Sequence, residues 1–298
     1  MVTPSARRAA VEHLVDHGMT SQRRGCQIVE VSRSCVRYAP RPRPEEAALR
    51  ATIRSLARRR KRFGYRRIAE LLRREGIEVN IKRVHRIWKA EGLSLPARRP
   101  RRRRRGPAGE VVRKAQRRNH VWTYDFMEDR TERGGRLRIL TVLDEYTRES
   151  LAIRVERSIA SPKVIETLQW LVAQRGVPDH IRSDNGPEFV AQAVQEWIGG
   201  RGCRTIFISP GSPWENPYIE SFNGKFRDEC LNMEVFANGK EAQMIVEAWR
   251  KDYNENRPHS SLGYLTPAEF AGRSGSSSRA TPSLRFQNKS KRALTLTL

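Results

Sequence analysis

Long apolar runs are missing from this chain. Nowhere do its 298 residues string together the roughly 18 consecutive apolar positions that a membrane helix needs, and the N-terminus has no charged stretch leading into an apolar segment and cleavage site. The expectation is a soluble, cytoplasmic protein with no membrane partner. Cysteine is scarce as well. Cys26, Cys35, Cys203 and Cys230 form no C-x-x-C pair, which argues against a disulfide scaffold. His13 and His17 precede Cys26 and Cys35, but the two thiols are too widely spaced for a compact structural zinc site, so no zinc is expected.

Acidic residues are few where basic ones are many. Residues 1–120 hold 34 Lys and Arg against 10 Asp and Glu, whereas 121–270 hold 18 against 23, and the tail from Ala271 adds six basic residues and no acid. Most of the net charge of +25 therefore sits in the first half. Concentrated charge of this kind implies a polyanion, since each phosphate neutralised by Arg or Lys releases condensed counterions. Double-stranded DNA is the expected partner, although charge alone does not separate an enzyme from a DNA-binding regulator.

Helical periodicity fills the basic half. Ala9, Val11, Leu14 and Val15 share a face, Ser21 can cap a following helix, and Val31 to Ser34 reads as a turn into a short helix. That arrangement suggests a helix-turn-helix-like region over 1–40 with Arg33 and Arg37 toward DNA; a small bundle with solvated arginines fits equally well. A second helical module is expected over 41–95. Its first helix runs from Glu45 to about Arg59, and another begins near Phe63 with Arg66 and Arg67 and stops at Gly76. The next presents Lys82, Arg83, Arg86 and Lys89 around an apolar seam of Val84, Ile87 and Trp88, as a recognition helix would. Residues 96–118 form an Arg/Pro-rich linker, too charged to fold alone, whose run Arg101, Arg102, Arg103, Arg104 and Arg105 suits phosphates or a minor groove.

From His120 the period changes to two. Val121, Thr123, Asp125 and Met127 alternate with Trp122, Tyr124 and Phe126, so a strand is predicted over 120–128. Strands over 137–145 and 150–155, a helix over 162–175, a strand over 180–184, a helix over 191–198, a strand over 205–209 and a helix over 216–231 follow. That order predicts an α/β class, an RNase H-like mixed five-stranded sheet with flanking helices, preceded by all-α helix-turn-helix modules. The catalytic core would span 119–272, leaving 273–298 as a basic tail.

Phosphoryl transfer assisted by two metal ions needs a few oxygen ligands where buried charge would otherwise be unwelcome. Asp125 lies mid-strand among aromatic residues, where an unpaired carboxylate is costly. Asp184 ends a strand before Asn185-Gly186, although an Asp there can equally cap the turn. Glu220 shares a helix face with Asn216, Asn223 and Arg227, opposite Ile219, Phe222, Phe226 and Cys230; a solvated polar face would look the same. Asp144, Glu188 and Glu215 are the remaining candidates for a metal.

The spacing of these residues resembles that of insertion-sequence family three transposases, in their second-reading-frame products. In that family 35 residues separate the last two acids and a basic residue follows seven positions later; here 35 residues lie between Asp184 and Glu220, and Arg227 is seven past Glu220. Trp122 to Asp125, Ser183 to Phe189, Tyr253-Asn254, Arg257-Pro258-His259, Leu262 and Thr266-Pro267 also match. The resemblance covers about residues 10–270. It implies a DDE transposase with a retroviral-integrase-like core, in which Asp125, Asp184 and Glu220 are both catalytic and metal-binding, holding two Mg²⁺, with Mn²⁺ as substitute. It further implies cleavage of the element's ends, direct 3′-OH attack without a covalent enzyme intermediate, and a circular intermediate. Asn223, Lys225 and Arg227 would then contact end DNA. A homo-oligomer on DNA, an upstream-frame protein joined by frameshift fusion and a bacterial, nucleoid-associated location complete what it implies. A regulator without catalysis and a structure-selective nuclease of the same fold are the alternatives.

Overall fold

A computed structural model describes residues 3–38, 44–94, 96, 114–183, 192–207 and 216–275. The chain divides into two compact units, Met1–Arg54 and Ser55–Leu298. Among the described residues no helix is long and apolar enough to cross a membrane.

In the first unit, α1 (Pro4–Asp16), α2 (Gln22–Ile28) and α3 (Arg33–Arg37) close over Val11, Cys26 and Val36. Their starts are set by side chains that satisfy orphan backbone donors. Ser21 accepts from the Arg24 N–H and Ser32 from the Cys35 N–H. Cys26 is thus a core thiol and Cys35 is half-buried.

Helix α4 (Pro44–Arg59) crosses from the first unit into the second. There α5 (Tyr65–Arg74) and α6 (Ile81–Ala90) form the helical pair expected from their periodicity, with Ile68, Ala69 and Leu72 buried on one and Val84, Ile87 and Trp88 on the other. Gly76 adopts φ +78° after α5, a left-handed turn that a β-carbon would strain, and Asn80 caps α6 through the Lys82 N–H.

The rest of the second unit is built on a five-stranded sheet of order β3-β2-β1-β4-β5. Its strands are β1 (Val121–Arg130), β2 (Arg136–Asp144), β3 (Ser150–Glu156), β4 (His180–Ser183) and β5 (Arg204–Phe207). The first three form an antiparallel meander, while β4 joins β1 and β5 joins β4 in parallel. This is the RNase H-like mixed sheet. Between β3 and β4 runs α7 (Ser161–Arg175), which stops at Gly176 with φ +83°. Then come α8 (Gln192–Gly199) before β5, α9 (Pro217–Glu229), α10 (Gly239–Glu255) and α11 (Pro267–Gly275).

Strand alternation decides which face meets which helices. Trp122, Tyr124, Leu140, Val142 and Ile181 pack with Leu168 and Leu171 of α7 and with Val194 and Ile198 of α8. On the other face Met127, Ile139 and Ile153 pack with Phe222 and Phe226 of α9 and with Val246 and Tyr253 of α10. Helix α11 begins with a reciprocal cap: Glu269 accepts from the Thr266 N–H at 2.8 Å, and Thr266 Oγ1 from the Glu269 N–H at 3.2 Å.

Candidate active site

Asp125 lies opposite Thr141 in the β1–β2 ladder and, like Phe126 after it, is half-buried between buried Tyr124 and Met127. Its Oδ1 accepts the Phe126 N–H at 2.8 Å, and its Oδ2 accepts Asn223 Nδ2 at 2.8 Å. Asn223 is in turn fixed by Thr141 Oγ1, which donates to its Oδ1 at 3.0 Å. These two bonds, one to each carboxylate oxygen, orient the group.

Three contacts lay α9 along β1. Thr123 Oγ1 donates to Asn216 Oδ1 at 2.7 Å, Asn223 holds Asp125, and Arg227 Nη2 donates to the Glu128 carbonyl at 2.9 Å. Glu220 sits four residues after Asn216 and three before Asn223, on the same helix face, and is exposed. The helix therefore brings an exposed carboxylate to the stretch of β1 that carries Asp125. Asp184 lies outside the described residues, as do Glu188 and Glu215. Buried Ser183 immediately precedes Asp184 and ends β4, the parallel neighbour of β1.

Asp144 has a structural task. Fully buried, it accepts the backbone N–H groups of Tyr146 and Thr147 through Oδ1 and of Asn119 through Oδ2. Burial raises its pKa and these three donors pull it back. Beside it lies a pair that sequence reasoning missed. Arg182 of β4 and Glu145, both 1% exposed, stand 3.3 Å apart, and burial pushes the Glu145 carboxyl up to about 7 against the pull of Arg182. Charged residues flanking apolar strand positions were the only available signal.

The basic candidates divide by environment. Arg33 and Arg37 are exposed on α3, as are Arg66 of α5 and Lys82, Arg86 and Lys89 of α6. Arg83 is half-buried, with Nε and Nη2 shut away from partners. Arg67 bonds Glu229 at 3.2 Å, and Arg257 grips the same carboxylate through two bonds of 2.7 and 2.6 Å. Asn223 is 8% exposed, so its amide is spent inside the protein. Lys225 Nζ donates to Ser221 Oγ at 2.7 Å; burial, then repulsion from Arg257, pushes its pKa down to about 8. The run Arg101 to Arg105 lies outside the described residues.

Of the residues the resemblance picked out, Asn254 bonds both the N–H and the carbonyl of Ser150, at 2.8 and 2.9 Å, and so ties α10 to β3. Buried His259 packs edge-on against Tyr253, with ring centroids 4.9 Å apart. As for a metal, exposed and half-exposed carboxylates with an amide partner form the hard oxygen donor set that Mg²⁺ or Mn²⁺ takes, so the residues fit such an ion.

Family models described as integrase core domain match residues 115–213 and 201–267, and an HTH-like domain matches 44–103. The chain is 40% identical to an uncharacterized protein of insertion element IS476 of Xanthomonas euvesicatoria, over 91% of this chain and 78% of that protein. It is 42% identical to one of insertion element IS407 of Burkholderia multivorans, over 85% and 91%. Transposase InsD of insertion element IS2D from Escherichia coli is 29% identical over 70% and 73%. Among solved structures, the HTLV-2 integrase catalytic core in complex with magnesium aligns over 52% of this chain and 97% of that one, with 17% identity and a TM-score of 0.41.

Proposed function

Because the chain belongs to the insertion-sequence family three transposases, DDE-type polynucleotidyl transferases with an integrase core, we propose that Asp125, Asp184 and Glu220 carry its DNA cleavage and strand transfer. The observation behind this assignment is the bond from Asn223 to Asp125, which sets the Glu220 face of α9 along β1. Asp184 enters through its spacing from Glu220 and its attachment to the end of β4.

These carboxylates would hold two Mg²⁺, for which Mn²⁺ can substitute. When bound, such ions polarise the scissile phosphate and make the attacking oxygen more acidic. Asn223 holds Asp125 at one oxygen and so removes rotational freedom that ligand binding would otherwise have to freeze. Exposed Glu220 stays accessible to solvent and substrate. The reaction would begin with hydrolysis at an element end; the freed 3′-OH would then attack a second phosphodiester, forming a new P–O bond as that phosphodiester's own 3′-oxygen leaves as a hydroxyl, first between the two ends to give a circle. The exposed residues Arg33, Arg37, Arg66, Lys82, Arg86 and Lys89 supply the DNA-contacting set, together with Arg101 to Arg105. The complex on DNA would be a homo-oligomer, with an upstream-frame protein fused by frameshifting.

The test incubates the purified chain and its Glu220→Gln variant with labelled inverted repeats from its own element, with Mg²⁺ or Mn²⁺. Cleavage and joining by the parent alone is expected. Cleavage by the Glu220→Gln protein would refute the assignment, cleavage without joining would identify a nuclease, and binding without chemistry in either would call for the fused upstream protein.

A further inference from the structure

His120 directly precedes β1 and His180 opens β4, so the parallel pairing of these strands sets them side by side. The His180 N–H donates to the His120 carbonyl at 3.0 Å and the Asp179 N–H to the Asn119 carbonyl at 3.1 Å. The two imidazoles meet edge-on at 5.4 Å, and donor atoms of His120, Asp179 and His180 all lie within 4.8 Å of one another. His180 is 8% exposed, and both its ring nitrogens are buried without a hydrogen-bond partner. Buried polar atoms ordinarily find a donor, an acceptor or a metal, and one of the His180 ring nitrogens stands within 4.8 Å of a ligand atom of His120 and of Asp179, as a shared ion would require.

We propose that His120, Asp179 and His180 bind a divalent ion of the zinc type, with solvent completing a tetrahedral shell. Two imidazoles favour Zn²⁺ and its transition-metal neighbours over Mg²⁺, which separates this centre chemically from the oxygen-only carboxylates of the active site. Ligands about 2.0–2.2 Å from the ion stand closer together than the atoms do now, so the cluster must contract. Asp179, with a side chain 37% exposed, has room to turn. Two bonds compete: Arg117 Nη2 to Asp179 Oδ2 at 2.5 Å, and the Gln116 N–H to His120 Nδ1 at 3.0 Å. Ligation through His120 Nε2 moves the ring proton to Nδ1 and breaks the second. Metal loading thus clamps the starts of β1 and β4 and frees the Gln116–Arg117 segment that leads into β1. The histidines are distant in sequence, so no local motif announces them.

The test uses the full chain with the active-site carboxylates silenced by Asp125→Asn, Asp184→Asn and Glu220→Gln. Titration with Co²⁺ should give the visible absorption of a tetrahedral nitrogen–oxygen site, displaced by Zn²⁺, and saturating Zn²⁺ should raise the Tm by about 3–8 °C. His120→Asn should weaken binding at least about tenfold while leaving the metal-free circular dichroism unchanged; His180→Asn should do the same if it folds. His13→Ala should change neither signal. An absent cobalt spectrum with no Tm shift, unaltered binding in His120→Asn, or loss of binding in His13→Ala would overturn the proposal.

Discussion

The two faces of the sheet are built from the same alternating strands yet differ in kind. Toward α7 and α8, Trp122, Tyr124, Leu140, Val142 and Ile181 form an apolar layer whose polar contact with α7 comes from edge strand β3, where Arg154 donates to the Lys163 carbonyl and to Thr167 Oγ1. Toward α9 and α10 an equally apolar layer is interrupted by a polar seam of Thr123, Asp125 and Thr141, closed by Asn216 and Asn223. A sheet needs only apolar contacts to hold a helix, so the seam is not required for packing. Each of its side chains has a partner, which keeps burial tolerable, and the seam's effect is to fix one carboxylate at a chosen place.

The sharpest way to break this comparison is to remove charge from the seam. Asp125→Asn or Glu220→Gln should abolish cleavage and joining to the detection limit while leaving DNA binding intact, read by gel shift beside the strand-transfer assay. Loss of DNA binding with chemistry retained would mean that these carboxylates serve the fold or the interface instead. The opposite face should respond only in stability. Leu168→Ala, at a fully buried position, should cost about 2–5 kcal/mol in denaturant unfolding, with no change in the metal concentration needed for half-maximal activity below the midpoint. A shifted metal requirement would show that the two faces are mechanically coupled. Between these lies Asn223→Ala, expected to lower activity about 10–100-fold and to raise the Mg²⁺ requirement, with partial rescue by Mn²⁺. An equal loss at all metal concentrations would place Asn223 in DNA binding.

Much of this arrangement was legible because it is local. The period of two from Val121 to Met127 assigned the faces of β1, and Ser21 and the turn from Val31 to Ser34 marked starts of α2 and α3 that the structure places within a residue or two. The stripe Ile219, Phe222, Phe226 and Cys230 is the buried side of α9. The polar stripe was harder, since periodicity groups Asn216, Glu220, Asn223 and Arg227 without saying which of them meets a strand. Two are buried, Glu220 is exposed, and Arg227 reaches the Glu128 carbonyl. Pairings between distant segments were not legible at all. Arg67 with Glu229 and Arg182 with Glu145 are products of topology, and no window of sequence contains both partners.

The smallest effect concerns acid, and it too should divide the faces. Among the described residues the apolar layer toward α7 and α8 contains no histidine, whereas His259 lies on the other side against Tyr253. Burial, then repulsion from Arg257, Lys225, Arg67 and Arg148, pushes its pKa from 6.5 down to about 2. The native state therefore holds this ring neutral while the unfolded chain protonates it below about pH 6.5. The unfolded state then binds more protons, so this contribution is full above pH 6.5 and is lost as pH falls toward 2, by about 1.4 kcal/mol per pH unit. His259→Gln should flatten the fall in unfolding free energy between about pH 6 and 4 by roughly that slope, whatever its effect at pH 7. An unchanged slope would mean that the ring gains a proton in the native state without unfolding it, and that the guanidiniums around Glu229 leave it room to do so.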